Sequence, residues 1–198
     1  MICRMGIIVT TARNALIVAL IGLPLPVVSQ ESGVTRAFEL PAHNALMSIR
    51  RGAELSEFET DGCSGGLSYS WRVVARSFPD FAEAHDQIPP WENCCVIHDR
   101  AYHNAGGAET AEDSYDARLT ADKTLENCVK RTGALRVEEV AAHYDVQPEA
   151  VETAYEAIAE AMYLAVRFGG GPCSGLPWRW GFGYSQCTVL DAIGPARE

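Results

Sequence analysis

The chain has 198 residues, 47% of them hydrophobic, and a formal charge of −10 at neutral pH. That length allows one domain with a core of its own. The acidic balance argues against a nucleic-acid partner and against attraction to strongly anionic membranes.

The N-terminus has a basic start, Arg4 and Arg13, followed by the apolar run ALIVALIGLPLPVV, and the small residues Val27 and Ser29 stand in the right relation for cleavage after Ser29. The run is short and proline-broken for a membrane span. Residues 1–29 are therefore expected to be a cleaved secretion signal, and residues 30–198 the mature domain. Cleavage removes Cys3, Arg4 and Arg13, which leaves 14 basic against 26 acidic residues, a charge of −12, and Lys123 and Lys130 as the two lysines. Six cysteines remain: Cys63, Cys94, Cys95, Cys128, Cys173 and Cys187. An even number in an exported chain predicts three disulfides and a secreted or periplasmic location.

Residues 30–60 are polar and mixed, with a helix expected near HNALMSIRR, residues 43–51. The Gly- and Ser-rich TDGCSGGLSYS (60–70) reads as a loop, and SFPDFAEAHDQIPP (77–90), with three prolines, as a connector. Helical signals dominate after Pro90. A first helix is expected from about Glu92 to Asn104, stopped by Gly106 and Gly107. A second starts at the N-cap Thr110, with Asp113 three residues on in a capping-box pattern. It is expected to run to about Arg131 and to end by Gly133. A third is expected from Pro148 to Gly169, with Val151, Tyr155, Ile158, Met162 and Val166 as its buried stripe. In the tail PWRWGFGY (177–184), aromatic residues alternate with Arg and Gly, a strand-like period. The fold class expected is mainly α, with an antiparallel helix pair at its centre and a helical and strand-like C-terminal region.

The chemistry concentrates in WENCCVIHDRAYHN, residues 91–104. A neutral imidazole can take a proton near pH 7, and it needs a partner to fix its tautomer. Asp99 is badly placed to serve His98, because adjacent helical residues point about 100° apart. The second helix offers Asp122. If the two helices are antiparallel, facing residues have nearly constant index sums. Cys94 with Cys128 and His98 with Asp122 then fall in almost the same register. Other pairings of the six cysteines remain open at this point. A zinc site is disfavoured, because adjacent cysteines chelate poorly. His43, His85, His103 and His143 lack such a context and read as surface or loop residues. Tyr102 reads equally well as core packing or as a partner of the site.

The segment CCVIHDRAY resembles the secreted phospholipase A2 motif Cys-Cys-x-x-His-Asp-x-Cys-Tyr. DGCSGG resembles that family's glycine-rich calcium loop, most closely in its bacterial branch, and ADKTLENC resembles its second-helix pattern. The likeness covers roughly residues 59–130. It implies a phospholipase A2-type disulfide-linked helix pair with a calcium loop. His98 is then the general base that activates water, Asp122 the carboxylate that orients it, and Tyr102 a hydrogen-bond partner of that carboxylate. Asp99 would be the bidentate calcium ligand, with carbonyls of Gly62, Ser64 and Gly66 completing the site and Asp61 as an extra or alternative ligand. Gly62 would also offer a backbone N–H to the oxyanion. The family register implies Cys63–Cys95 and Cys94–Cys128, which leaves Cys173–Cys187. Ala101 and Ala121 stand where the family has both ends of a further bridge, so the two losses are coordinated.

The resemblance thus implies calcium-dependent hydrolysis of the sn-2 ester of glycerophospholipids, by a monomer acting at a phospholipid membrane or micelle surface. A catalytically inactive phospholipase-like binding or toxin module is the alternative, and a disulfide-stapled structural protein a second. His98, Asp99 and Asp122 are all present, which favours activity.

Overall fold

The structure, a computed structural model, describes residues 27–64, 76, 79, 88–188 and 190–191. The expected signal, except its last residues, and most of the connector 77–90 lie outside the described residues, as do Gly66 and His85.

The described residues form four long helices: α1 (Val27–Arg50), α2 (Glu92–His103), α3 (Ala111–Tyr144) and α4 (Pro148–Gly169). Helix α1 is longer than the expected segment near residues 43–51 and continues through Pro41. Its extension is held by tertiary contacts and not by an apolar stripe: Arg36 and Glu39 reach side chains of α3 and α4. Helix α2 matches its expected bounds closely. Helix α3 begins at the expected N-cap, where the Thr110 side chain accepts from the Asp113 N–H at 3.1 Å.

Helix α3 does not end by Gly133. It continues to Tyr144 and stops at Asp145, whose φ of 51° is left-handed. Gly133 is there for close approach: a Cβ at this position would lie 2.4 Å from the Tyr155 ring. The glycine lets α4 pack tightly on α3, and that packing offsets its poor helix propensity. Helix α4 has the expected bounds, with Pro148 at its first position. Val151, Tyr155, Ala159, Met162 and Val166 form its buried stripe, with Ile158 at the margin.

Three disulfides are present: Cys63–Cys95, Cys94–Cys128 and Cys173–Cys187. Cys94–Cys128 ties α2 to α3 in the antiparallel register, and Cys63–Cys95 ties the loop before the connector to α2.

No strand occurs among the described residues, so the strand expected in the tail is corrected. Residues 177–184 form successive turns instead, and Gly181 adopts a φ of 76°, outside strand geometry. The segment caps α2. The Gly181 N–H donates to the Tyr102 carbonyl at 2.7 Å, and the Gly183 N–H to the His103 carbonyl at 3.0 Å. The His103 carbonyl at the helix C-terminus is thereby satisfied, and the Tyr102 carbonyl, which also accepts from the Asn104 N–H, gains a second donor. Trp180 is fully buried and meets the Tyr102 ring edge-on at 4.9 Å. No helix among the described residues is long and apolar enough to cross a membrane.

Candidate active site

Helices α2 and α3 bring His98 and Asp122 together, with His98 Nε2 3.0 Å from Asp122 Oδ1. Both side chains are buried. Burial alone would raise the Asp122 pKa, but the hydrogen bond from His98 and the Arg118 charge outweigh it, so the carboxyl sits below its ordinary range. An ionised carboxylate has no proton to give, so the shared proton lies on Nε2. In the neutral ring the lone pair is then on Nδ1. Burial opposes the charge of His98, yet Asp122 and Asp99 together hold its pKa above the usual imidazole value. The two shifts agree in direction with a charge-assisted pair.

Tyr102 stands one turn beyond His98 on α2. Its hydroxyl donates to the same Asp122 oxygen at 2.6 Å, and its ring lies 4.1 Å from the imidazole, centroid to centroid. It is both core and site. Burial, first of all, raises its pKa well above the ordinary phenol value, so it stays a donor.

Asp99 points to a different face, as helical geometry requires. His98 Nδ1 is 3.9 Å from Asp99 Oδ1, too far for a hydrogen bond. Asp99 Oδ2 accepts instead from the Thr60 hydroxyl at 2.6 Å, and that hydroxyl accepts from the Gly62 N–H at 2.9 Å. The N–H expected to serve an oxyanion is therefore engaged by Thr60. Gly62 and Ser64 lie in a short 3-10 turn, Gly62–Ser64, anchored by Cys63 through its disulfide and by the Cys63 N–H donating to Glu92 Oε2 at 3.1 Å. Gly62 has a φ of 62°, and a Cβ there would meet the Glu92 carboxylate, so a side chain would be strained and would displace Glu92.

A calcium ion fits the chemistry of this corner in kind. Asp99 and Thr60 are hard oxygen donors beside a turn whose carbonyls are of the same class. No three His, Cys, Asp or Glu side chains among the described residues are grouped so as to hold a metal ion, so such an ion would rest on Asp99 and backbone carbonyls. Asp61 is exposed beside the same turn.

Three participants carry no mark in the sequence reading. Arg167 on α4 donates from Nη1 to Asp122 Oδ2 at 2.9 Å and from Nη2 to Glu39 Oε1 at 2.6 Å. Arg118 on α3 donates from Nη1 to Glu39 Oε2 and from Nη2 to the carbonyls of Val166 and Arg167, each at 2.8 Å. Burial works against the Arg118 charge, but the Tyr102 oxygen and the Asp122 and Glu39 carboxylates more than offset it. Only Arg118 left a clue, four residues before Asp122 and so on the same helical face.

Two histidines need correction. His43 and His103 are buried, not surface residues. His43 Nδ1 is 2.8 Å from Ser114 Oγ, which also accepts from the Trp180 indole at 2.9 Å. His103 sits edge-on between Phe58 and Phe182. His143 is exposed, as expected.

A cavity of about 370 Å³ opens beside His98, walled by Ile97, Ala101, Ala121, Leu125 and the Cys94–Cys128 bridge among others. Ala101 and Ala121 thus face common space. Comparison with protein-family models, with curated proteins and with solved structures finds no match, so the likeness to secreted phospholipases A2 rests on the quoted motifs alone.

Proposed function

We propose that the chain is a calcium-dependent phospholipase A2-like esterase that cleaves the sn-2 ester of glycerophospholipids. The observation that carries this reading is the division of labour around His98. Nε2 is committed to Asp122 at 3.0 Å, while Nδ1 carries the free lone pair on the side of Asp99. In this reading Nδ1 takes the proton from a water molecule as that water attacks the ester carbonyl. Asp122 steadies the imidazolium that forms, with Tyr102 and Arg167 keeping it ionised and in place. The proton on Nδ1 then passes to the leaving alkoxide. A calcium ion held by Asp99 and the turn carbonyls would supply the positive charge that stabilises the oxyanion. For the Gly62 N–H to assist there, it would have to leave Thr60.

The apolar cavity beside His98 suits an aliphatic substrate better than a charged one. The disulfides and the apolar N-terminal run favour action outside the cytoplasm, in the periplasm or the medium. We take the working unit to be a monomer at a phospholipid surface. The alternative, a phospholipase-like binding or toxin module, differs in one outcome: it binds calcium without turning over ester.

Calcium titration of the wild type and of Asp99→Asn tests the metal part. The wild type should bind one calcium ion, and the variant should bind far more weakly with an unchanged far-ultraviolet dichroism spectrum. Equal affinity in the two proteins would remove Asp99 from the site.

A further inference from the structure

The Asp122 carboxylate has more partners than a His–Asp pair requires. Oδ1 receives His98 and Tyr102, and Oδ2 receives Arg167. The same guanidinium spans to Glu39, whose other oxygen receives Arg118. Arg118 is in turn pinned to the α4 backbone at Val166 and Arg167. Three helices are therefore closed into one charge ring: Glu39 from α1, Arg118 and Asp122 from α3, and Arg167 from α4. Two guanidinium groups face two carboxylates, so the ring is formally neutral, and Asp122 and Arg118 within it are fully buried. A planar guanidinium holding two carboxylates at once has little rotational freedom.

We propose that Arg167, itself held by Glu39, is the positioning residue that sets the rotamer of Asp122 and through it the ring orientation and tautomer of His98. This rests on the reading of His98 as the base. Any rotation of the Asp122 carboxylate moves Oδ1 and Oδ2 together. Freed from Arg167, Oδ2 can turn toward Arg118 Nε, now 3.9 Å away, and Oδ1 then leaves the line of His98 Nε2. Neither Arg167 nor Glu39 lines the cavity beside His98, so their effect should fall on turnover and not on substrate binding.

The test uses the full mature chain with three variants, Arg167→Gln, Arg167→Lys and Glu39→Gln. Two readouts are needed: kcat and KM on phospholipid micelles, and the ring N–H resonance of His98 in protein labelled with nitrogen-15 at histidine. In Arg167→Gln, misplacement of the base should lower kcat by about 10²-fold while KM stays within about twofold. Arg167→Lys should recover roughly tenfold of that loss, and Glu39→Gln should lose roughly tenfold. The His98 Nε2–H resonance should lie downfield and exchange slowly in the wild type, and should broaden or move upfield in Arg167→Gln. A folded Arg167→Gln with an unchanged resonance and kcat within about threefold of wild type overturns the proposal. A loss confined to KM overturns it too. Should Arg167→Gln fail to fold, an unchanged resonance and kcat in both other variants overturn it. If the wild type shows no turnover, the proposed function falls, and the His98 resonance alone decides the positioning role.

Discussion

On its α2 side, helix α3 is fastened by one covalent bond, Cys94–Cys128, and by the Asp122 carboxylate, which takes hydrogen bonds from His98 and Tyr102. On its α4 side, the central contact is a matter of shape, with the Gly133 backbone against the Tyr155 ring. The first seam carries the proposed chemistry on side chains that are individually replaceable without great change of volume. The second carries much of the packing and holds no group able to react. The difference teaches that activity and stability should be separable along a single helix. The charge ring around Glu39 and Arg167, where α4 reaches Asp122, is the one place where the two seams meet.

The strongest way to sharpen this contrast is His98→Gln. Loss of the base should lower turnover by roughly 10²- to 10⁴-fold while thermal stability changes little, since a general base contributes on that scale. A variant that keeps near-wild-type hydrolysis breaks the assignment. Next in size is the paired replacement Cys94→Ser with Cys128→Ser. Losing a native bridge from a small exported domain costs about 2–5 kcal/mol. Chemical denaturation should show a loss in that range, and non-reducing peptide maps of the wild type should show no free thiol at either position. Gly133→Leu attacks the other seam. Its Cβ would lie 2.4 Å from the Tyr155 Cγ, and overpacking of this kind costs about 1–3 kcal/mol. For a chain of this size that is about 2–4 °C of melting temperature per kcal/mol. Calorimetry should find the loss, while calcium affinity and turnover of the folded fraction stay as in the wild type. A larger effect on turnover than on stability would mean that the two seams are coupled through α3.

The smallest expected effect concerns acid. Burial works against the Glu39 charge, but His43, Arg118 and Arg167 outweigh it and hold the carboxyl below its ordinary value of 4.5. A folded-state pKa below the unfolded one means that this stabilisation is complete above the unfolded value. It is lost as the pH falls from about 4.5 toward the folded value. Glu39→Gln should therefore flatten the pH dependence of the denaturation midpoint below that point. Parallel curves for the two proteins would show that Glu39 is not ionised and paired in the fold.

What could be read from the sequence follows the same division. The α2 seam was legible because its information is local: a motif of nine residues, the Cys94–Cys128 register, and an N-cap at Thr110 that the fold uses as expected. The stripe of α4 was legible from period alone. Gly133 misled, because a glycine that ends a helix and one that admits a neighbouring ring look alike until the neighbour is known. The tail misled similarly. Its alternation of aromatics with glycine fits a strand, but Gly181 and Gly183 donate their N–H groups to the end of α2. Glu39 and Arg167 are 128 residues apart, and no spacing rule links them. His43 and His103 had no motif, and only their remote partners explain their burial. The turn proposed to hold calcium is legible in part: Gly62 is linked to Asp99 through Thr60, while Gly66 lies outside the described residues.

The central claim is that this geometry hydrolyses a phospholipid ester with calcium. It is tested most directly by the mature protein acting on mixed micelles of a phospholipid labelled in its sn-2 chain. Release of labelled fatty acid should require calcium, stop in chelator, and leave the sn-1 chain on the lysolipid. Release that continues unchanged in chelator, or calcium binding with no release at all, would contradict the account.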